Sequence, residues 1–373
     1  MIITGEVSGD LIGASLIKEL LLQDPDLKIT GIGGDRMKSA GMDLIYHSDH
    51  MAFLGFIEVI KHLPFIHKVQ KKLIEAIKRE GISCVVLIDY PGFNLSIAKK
   101  LKPLGVKIIY YVSPQIWAWA KGRVKKVRRL VDKMLVVFPF EIDFYKKENV
   151  NVQYVGHPLV ERIDAYSFLS KDELFTKFNL EKDIDILLVL PGSRKQEIKE
   201  IFPEVIKAAN QIASKFGLQV VVARSNNING EYLQQLGSSQ KFITISDYNY
   251  ELMKYSQFGI IKSGTSTLEA GYFALPMIVV YKTSMLTYLI GKQLVTLDRI
   301  GMVNILLDEM VVPELIQRDA NSENIAAEVS RILSDEQAYL VMKQKLEDVK
   351  KKLGKTGASK KAANLILEIL NEF

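Results

Sequence analysis

Cysteine is almost missing from this chain. Cys84 is the only one in 373 residues, so an intramolecular disulfide is excluded. With no apolar leader followed by a small-residue cleavage site, a reducing, cytoplasmic setting is expected. No apolar run reaches the roughly 18 residues that a spanning helix needs; the nearest, 51–66, is interrupted by Glu58, Lys61 and Pro64. The five histidines show no HExxH spacing, and with one thiol no zinc site is expected. A dinucleotide fingerprint is lacking too, because Gly31-Ile32-Gly33 is followed by Arg36 where the third glycine belongs. Gly354-Lys355-Thr356 ends like a phosphate-binding P-loop but has Val349 in place of the leading glycine. The acid pairs Asp24/Asp26 and Asp183/Asp185 precede strands, the wrong edge of a parallel sheet for a metal. No metal and no cofactor are expected.

What is present is an ordinary globular composition, 48% hydrophobic and 25% charged, which disfavours disorder and fibrous architectures. The length predicts two or three domains. Short β-branched runs at 2–4, 28–32, 84–88, 107–112, 133–138 and 152–155 alternate with helical stretches at 11–22, 69–79 and 123–131. After Gly156-His157-Pro158 and a polar helical stretch the pattern restarts, with strands at 184–190, 218–223, 242–245, 259–261 and 277–280 and helices at 195–216, 250–256 and 266–273. Strands alternating with helices predict an α/β fold with parallel sheets. The last 50 or so residues read as helical throughout. The first strand begins at Met1 and has only about three residues, against a usual 5 or 6; either the true start lies upstream or this strand has a weak edge.

Ligands of open parallel sheets bind at the carboxyl ends of strands, where loops meet helix N-termini. Four segments fall there. Gly5-Glu6-Val7-Ser8-Gly9-Asp10 fits either a ligand loop or a tight turn in which Ser8 or Asp10 caps the helix. Asp89-Tyr90-Pro91-Gly92-Phe93-Asn94 ends a fully apolar run; its carboxylate suits a desolvated general base or a turn that binds backbone amides. Pro191-Gly192-Ser193-Arg194 offers amides and a guanidinium to a diphosphate, or is a turn with a solvated Arg. In Lys262-Ser263-Gly264-Thr265-Ser266-Thr267-Leu268-Glu269, Ser266 and Glu269 fit a capping box, and Glu269 equally suits a ribose diol.

These loops, with Tyr111-Val112-Ser113-Pro114-Gln115-Ile116-Trp117-Ala118-Trp119 and Gly156-His157-Pro158, resemble the lipid-A-disaccharide synthase family in its own order, over essentially the whole chain. The resemblance implies two Rossmann-like domains of the GT-B glycosyltransferase type with a helical C-terminal region. An acceptor and membrane-facing domain would cover 1–165, a UDP-sugar domain 180–335 and C-terminal helices 336–373. It implies an inverting hexosyltransferase that joins UDP-2,3-diacylglucosamine to 2,3-diacylglucosamine 1-phosphate (lipid X), giving a β-1,6-linked disaccharide 1-phosphate and UDP. Asp89 and Arg194 match the family's base and leaving-group arginine. Gly192, Ser193, Arg194, Ser263, Gly264, Thr265, Glu269 and Asn304 fall in the donor site, and Glu6, Ser8, Gly9 and Asp10 line the acceptor cleft. A homodimer with exchanged C-terminal regions, peripheral on the cytoplasmic face of a Gram-negative-type inner membrane, is also implied.

The net charge of +6 is concentrated. Residues 1–160 carry +7 and residues 161–373 carry −1, and the stretch 121–130 alone holds Lys121, Arg123, Lys125, Lys126, Arg128 and Arg129 without an acid. Beside Trp117 and Trp119, and with Phe53 and Phe56 in the apolar stretch 51–66, this block reads as a contact with an anionic membrane surface; a solvated basic helix is the plainer alternative. No nucleic-acid module accompanies the block, so no nucleic-acid partner is expected.

Overall fold

The computed structural model of the chain describes residues 1–51, 63–114, 116, 124–283 and 298–372. They form two compact units, one of residues 1–161 with 355–373 and the other of residues 162–354.

In the first unit the strands are β1 (Ile2–Ile3), β2 (Thr30–Gly33), β3 (Asp43–His47), β4 (Cys84–Ile88), β5 (Lys107–Tyr111), β6 (Lys133–Val136) and β7 (Val152–Tyr154). Among the described residues they make a parallel sheet in the order β3-β2-β1-β4-β5-β6-β7. Every residue of β4 is buried, as a strand covered on both faces requires. β1 is short but interior, with β2 on one side and β4 on the other. Its helices include α1 (Val7–Gln23), α2 (Asp35–Ser39), α3 (Leu63–Glu80), α4 (Pro91–Leu101), α5 (Val124–Leu130) and α6 (Pro158–Asp164). α3 is held by one apolar stripe, Val69, Leu73, Ala76 and Ile77, at helical spacing.

The second unit holds β8 (Ile186–Leu190), β9 (Gln219–Ala223), β10 (Ile243–Ile245), β11 (Ser256–Lys262), β12 (Met277–Tyr281) and β13 (Glu314–Ile316), parallel and ordered β10-β9-β8-β11-β12-β13. Its helices include α7 (Lys195–Phe216), α8 (Thr265–Tyr272), α9 (Met302–Leu307) and α10 (Glu336–Leu353). α7 stops at Gly217, whose φ of 66° is the left-handed turn that glycine adopts without a Cβ penalty.

The strands β3 and β13 are additions to the sequence expectation. The expected division also shifts. The boundary falls inside α6, and residues 336–373 are not a separate helical piece: α10 packs on α8 and α9 of the second unit, whereas α11 (Ala358–Leu370) packs along α1 of the first.

Each strand order reverses direction once. In the first sheet the reversal lies between β1 and β4, and in the second between β8 and β11. Crevices at such points are where open α/β sheets take ligands.

Candidate active site

The loops that follow β1 and β4 flank the reversal point of the first sheet. Asp89, the residue after β4, has φ 46°, and Tyr90 repeats that value. Two consecutive non-glycine residues in the left-handed region cost free energy and persist only when over-determined by their surroundings. Here the Asp89 carbonyl accepts hydrogen bonds from Tyr110 Oη (2.6 Å) and Asn94 Nδ2 (2.7 Å), both from buried side chains, while Tyr90 Oη donates to the Met51 carbonyl at 2.7 Å. The Asp89 carboxyl accepts a hydrogen bond from the backbone N–H of Tyr90. Burial first, and then the charge of Glu6, push its pKa up to about 6, against a smaller pull from a Tyr90 backbone hydrogen bond.

The acceptor-cleft residues divide. Glu6 and Ser8 are exposed, and α1 begins at Val7 rather than at 11, so Ser8, Gly9 and Asp10 lie in its first turn. Gly9 and Asp10 turn inward. A Cβ on Gly9 would stand 1.8 Å from Thr4 Oγ1, so glycine is needed for the helix to sit on the strand. Asp10 is 6% exposed and accepts from the N–H groups of Gly34 (2.6 Å), Met37 (3.1 Å) and Arg36 (3.2 Å). It therefore caps α2 from a distance, a structural use of its carboxylate. Nearby, Ser113 donates to buried Glu141, whose Oε2 accepts from Phe138 (3.0 Å) and Val137 (3.3 Å), tying together the loops after β5 and β6.

The second unit repeats the plan at β8 and β11. Gly192, with φ 100°, turns the chain after β8 and delivers Ser193 and Arg194 to the start of α7, where the helix dipole favours an anion. Arg194, half exposed, reaches Glu197 Oε1 (3.3 Å); Lys262, the last residue of β11, reaches the other oxygen of that carboxylate (3.0 Å) and lies 5.3 Å from the centroid of Tyr281, the last residue of β12. Ser263, Gly264 and Thr265 follow directly. Ser263 Oγ donates to the Ile300 carbonyl (2.9 Å), and Thr267 Oγ1 accepts from Met302 N–H (3.1 Å), which stitches this loop to the segment leading into α9.

Two expected donor residues already have partners within this unit. Glu269 forms an ion pair with Arg162, itself bonded to Tyr250 Oη; burial raises the Glu269 pKa and Arg162 opposes that rise. Asn304 is fully buried. Its Nδ2 donates to Val312 O (2.8 Å) and Glu314 Oε1 (2.7 Å), and its Oδ1 accepts from Val311 (2.9 Å) and Val312 (3.0 Å) N–H groups. Glu314 in turn accepts from Ile300 (2.8 Å) and Gly301 (2.9 Å), so Asn304 fixes the backbone beside the Ser263 loop, with both of its side-chain polar atoms bonded within the protein.

Lys262 and Glu197 received no role from the sequence. The available signal was a lysine directly after the apolar run 258–261. Of the expected membrane residues, Phe53, Phe56, Trp117, Trp119 and Arg123 lie outside the described residues. On α5, Val124, Val127 and Leu130 are buried while Lys125, Arg128 and Arg129 are exposed and Lys126 is half-buried, so the described cations gather on its outer face. Among the described residues no helix is long and apolar enough to cross a membrane, and no group of three or more His, Cys, Asp or Glu side chains is placed to hold a metal.

Comparison with known proteins agrees over the whole length. The family model described as lipid-A-disaccharide synthetase matches residues 1–369. The chain is 40% identical to a lipid-A-disaccharide synthase of Geobacter sulfurreducens, covering 100% of this chain and 97% of the relative. It is 36% identical to one of Coxiella burnetii, covering 99% and 98%. Among solved structures, an S. aureus MnaA–UDP co-structure superposes with a TM-score of 0.67 at 17% identity, over 100% of this chain and 97% of the other. The calicheamicin glycosyltransferase CalG4 does so with 0.61 at 14%, over 99% and 96%. The expected GT-B class of two Rossmann-like domains is therefore the observed one.

Proposed function

The chain belongs to the lipid-A-disaccharide synthase family, a family of hexosyltransferases of lipid A biosynthesis, and from that premise we propose an inverting condensation of UDP-2,3-diacylglucosamine with 2,3-diacylglucosamine 1-phosphate. Asp89 carries the proposal: a carboxylate at the reversal point of its sheet, held in a strained turn and lifted toward neutral pH. Asp89 takes the proton of the acceptor 6-hydroxyl. That oxygen forms a bond to the donor's anomeric carbon from the face opposite the nucleotide, and the carbon–oxygen bond to the diphosphate breaks, the electron pair leaving with UDP. Arg194 and the amides of the Gly192 and Gly264 loops meet the charge that develops on the diphosphate. Glu269 receives the ribose hydroxyls beside its pairing with Arg162.

The solvent face of α5 supports a second part of the reading, a peripheral attachment to anionic lipid from which both acylated substrates are drawn. The test is incubation of purified protein with the two diacylglucosamine substrates in EDTA. Formation of the tetraacyl disaccharide 1-phosphate with one UDP per product is expected. UDP release without disaccharide would refute the acceptor assignment.

A further inference from the structure

Lys262 ends a strand whose preceding residues Phe258, Gly259, Ile260 and Ile261 are buried. Its ammonium is itself largely buried, with the side chain 13% exposed, and burying an ammonium is costly unless it is paired. Among the described residues its ion-pair partner is Glu197, which is shared with Arg194, so two cations meet a single carboxylate and the cluster keeps a net positive charge. The stem is also confined: a Cβ on Gly192 would stand 3.3 Å from Lys262 Cδ, and the Tyr281 ring lies beside the ammonium. An apolar residue would end this strand at lower cost, so the charge itself calls for a use. Its position, between the Gly192 turn and the Ser263 loop at the reversal point of the sheet, supplies one.

We propose that Lys262 is the second cation of the diphosphate site, a point charge beside the planar fork of Arg194, held ready by Glu197. The proposal rests on the donor reading of this unit and adds to it a residue that determines nucleotide affinity. An ammonium bonded to a phosphate oxygen strengthens binding of UDP and leaves uridine unaffected.

The experiment titrates UDP and uridine into the wild-type protein and into Lys262→Met and Lys262→Arg by calorimetry, with melting curves alongside. Lys262→Met should weaken UDP binding by about 10- to 100-fold, the range of a charge-assisted hydrogen bond, with uridine affinity unchanged, and Lys262→Arg should restore most of the loss. Lys262→Gln replaces the Met variant if that protein does not fold. An unchanged preference for UDP over uridine in a folded neutral variant overturns the proposal. A wild-type protein that binds no UDP overturns the donor reading beneath it, and the two failures are distinct.

Discussion

A pKa of about 6 for Asp89 makes catalysis depend on pH in a range where an ordinary aspartate would be silent. Only the carboxylate form accepts a proton. At pH 5 about one in eleven of such groups is ionised and at pH 7 about ten in eleven, so kcat/KM should rise about tenfold between them. An aspartate at the ordinary 3.8 would be almost fully ionised at both. Stability runs the other way. The folded state binds this proton more tightly than the unfolded chain, so the contribution is complete below about pH 4 and is lost as pH rises through about 6. At 1.36 kcal/mol per pH unit, the ionised group costs the folded state about 3 kcal/mol at pH 7. Asp89→Asn should therefore melt higher than the parent at pH 7 and level with it near pH 3.5, while turnover falls at least about 100-fold. Because Glu6 is the second cause of the lift, Glu6→Gln should move the acid limb of the rate profile toward lower pH. Initial rates of UDP release from pH 5 to 8 at constant ionic strength, beside denaturant melts, measure all of this. A rate that stays flat from pH 5 to 7, or an Asn variant within tenfold of the parent, would refute the assignment.

Three further outcomes follow from the placement of single residues. Asp10→Ala should lose about 1–3 kcal/mol of stability in urea melts, from the N–H groups of Gly34, Arg36 and Met37 left unpaired, with the acceptor KM unchanged at temperatures where the protein stays folded. Asn304→Ala should cost about 2–4 kcal/mol, since it strips partners from Val311, Val312 and Glu314 at a fully buried site. Neutralising Lys125, Arg128 and Arg129 together should cut sedimentation with anionic liposomes at low salt. At about 1 kcal/mol per cation near the surface, the upper bound on the loss is about 3 kcal/mol, and an unchanged bound fraction would return this helix face to plain solvent exposure.

The interior strands were legible because burial on both faces imposes uninterrupted apolar runs, as in Cys84–Ile88 and Ile186–Leu190. The edge strands Asp43–His47 and Glu314–Ile316 are only partly buried and carry acids, so nothing in their pattern separated them from loops. The site loops were legible as polar segments after strands. Their pairing was not, since it depends on β1 lying beside β4 and β8 beside β11, a matter of sheet order. Asp10 and Asn304 show the limit most plainly: a carboxylate or amide bound to backbone many residues away is indistinguishable in sequence from one offered to a ligand. Glu197 stands in the first turn of α7, where an acid suits the helix dipole, and only the structure brings Lys262 to its carboxylate.

The first unit is closed by a helix that follows the whole second unit in the chain. α11 lies along α1 and buries Ala358, Ala362, Ala363 and Ile366, and Ser359 N–H bonds Glu161 Oε2 at 3.1 Å. On the ribosome, residues 1–161 therefore emerge without the piece that covers α1 and wait while the entire second unit is synthesised. At about 5–20 residues per second, that wait is on the order of ten to forty seconds, during which the stripe facing α11 is open to solvent and to other chains. The unit that is written first is completed second, and no single cut in the chain separates the two.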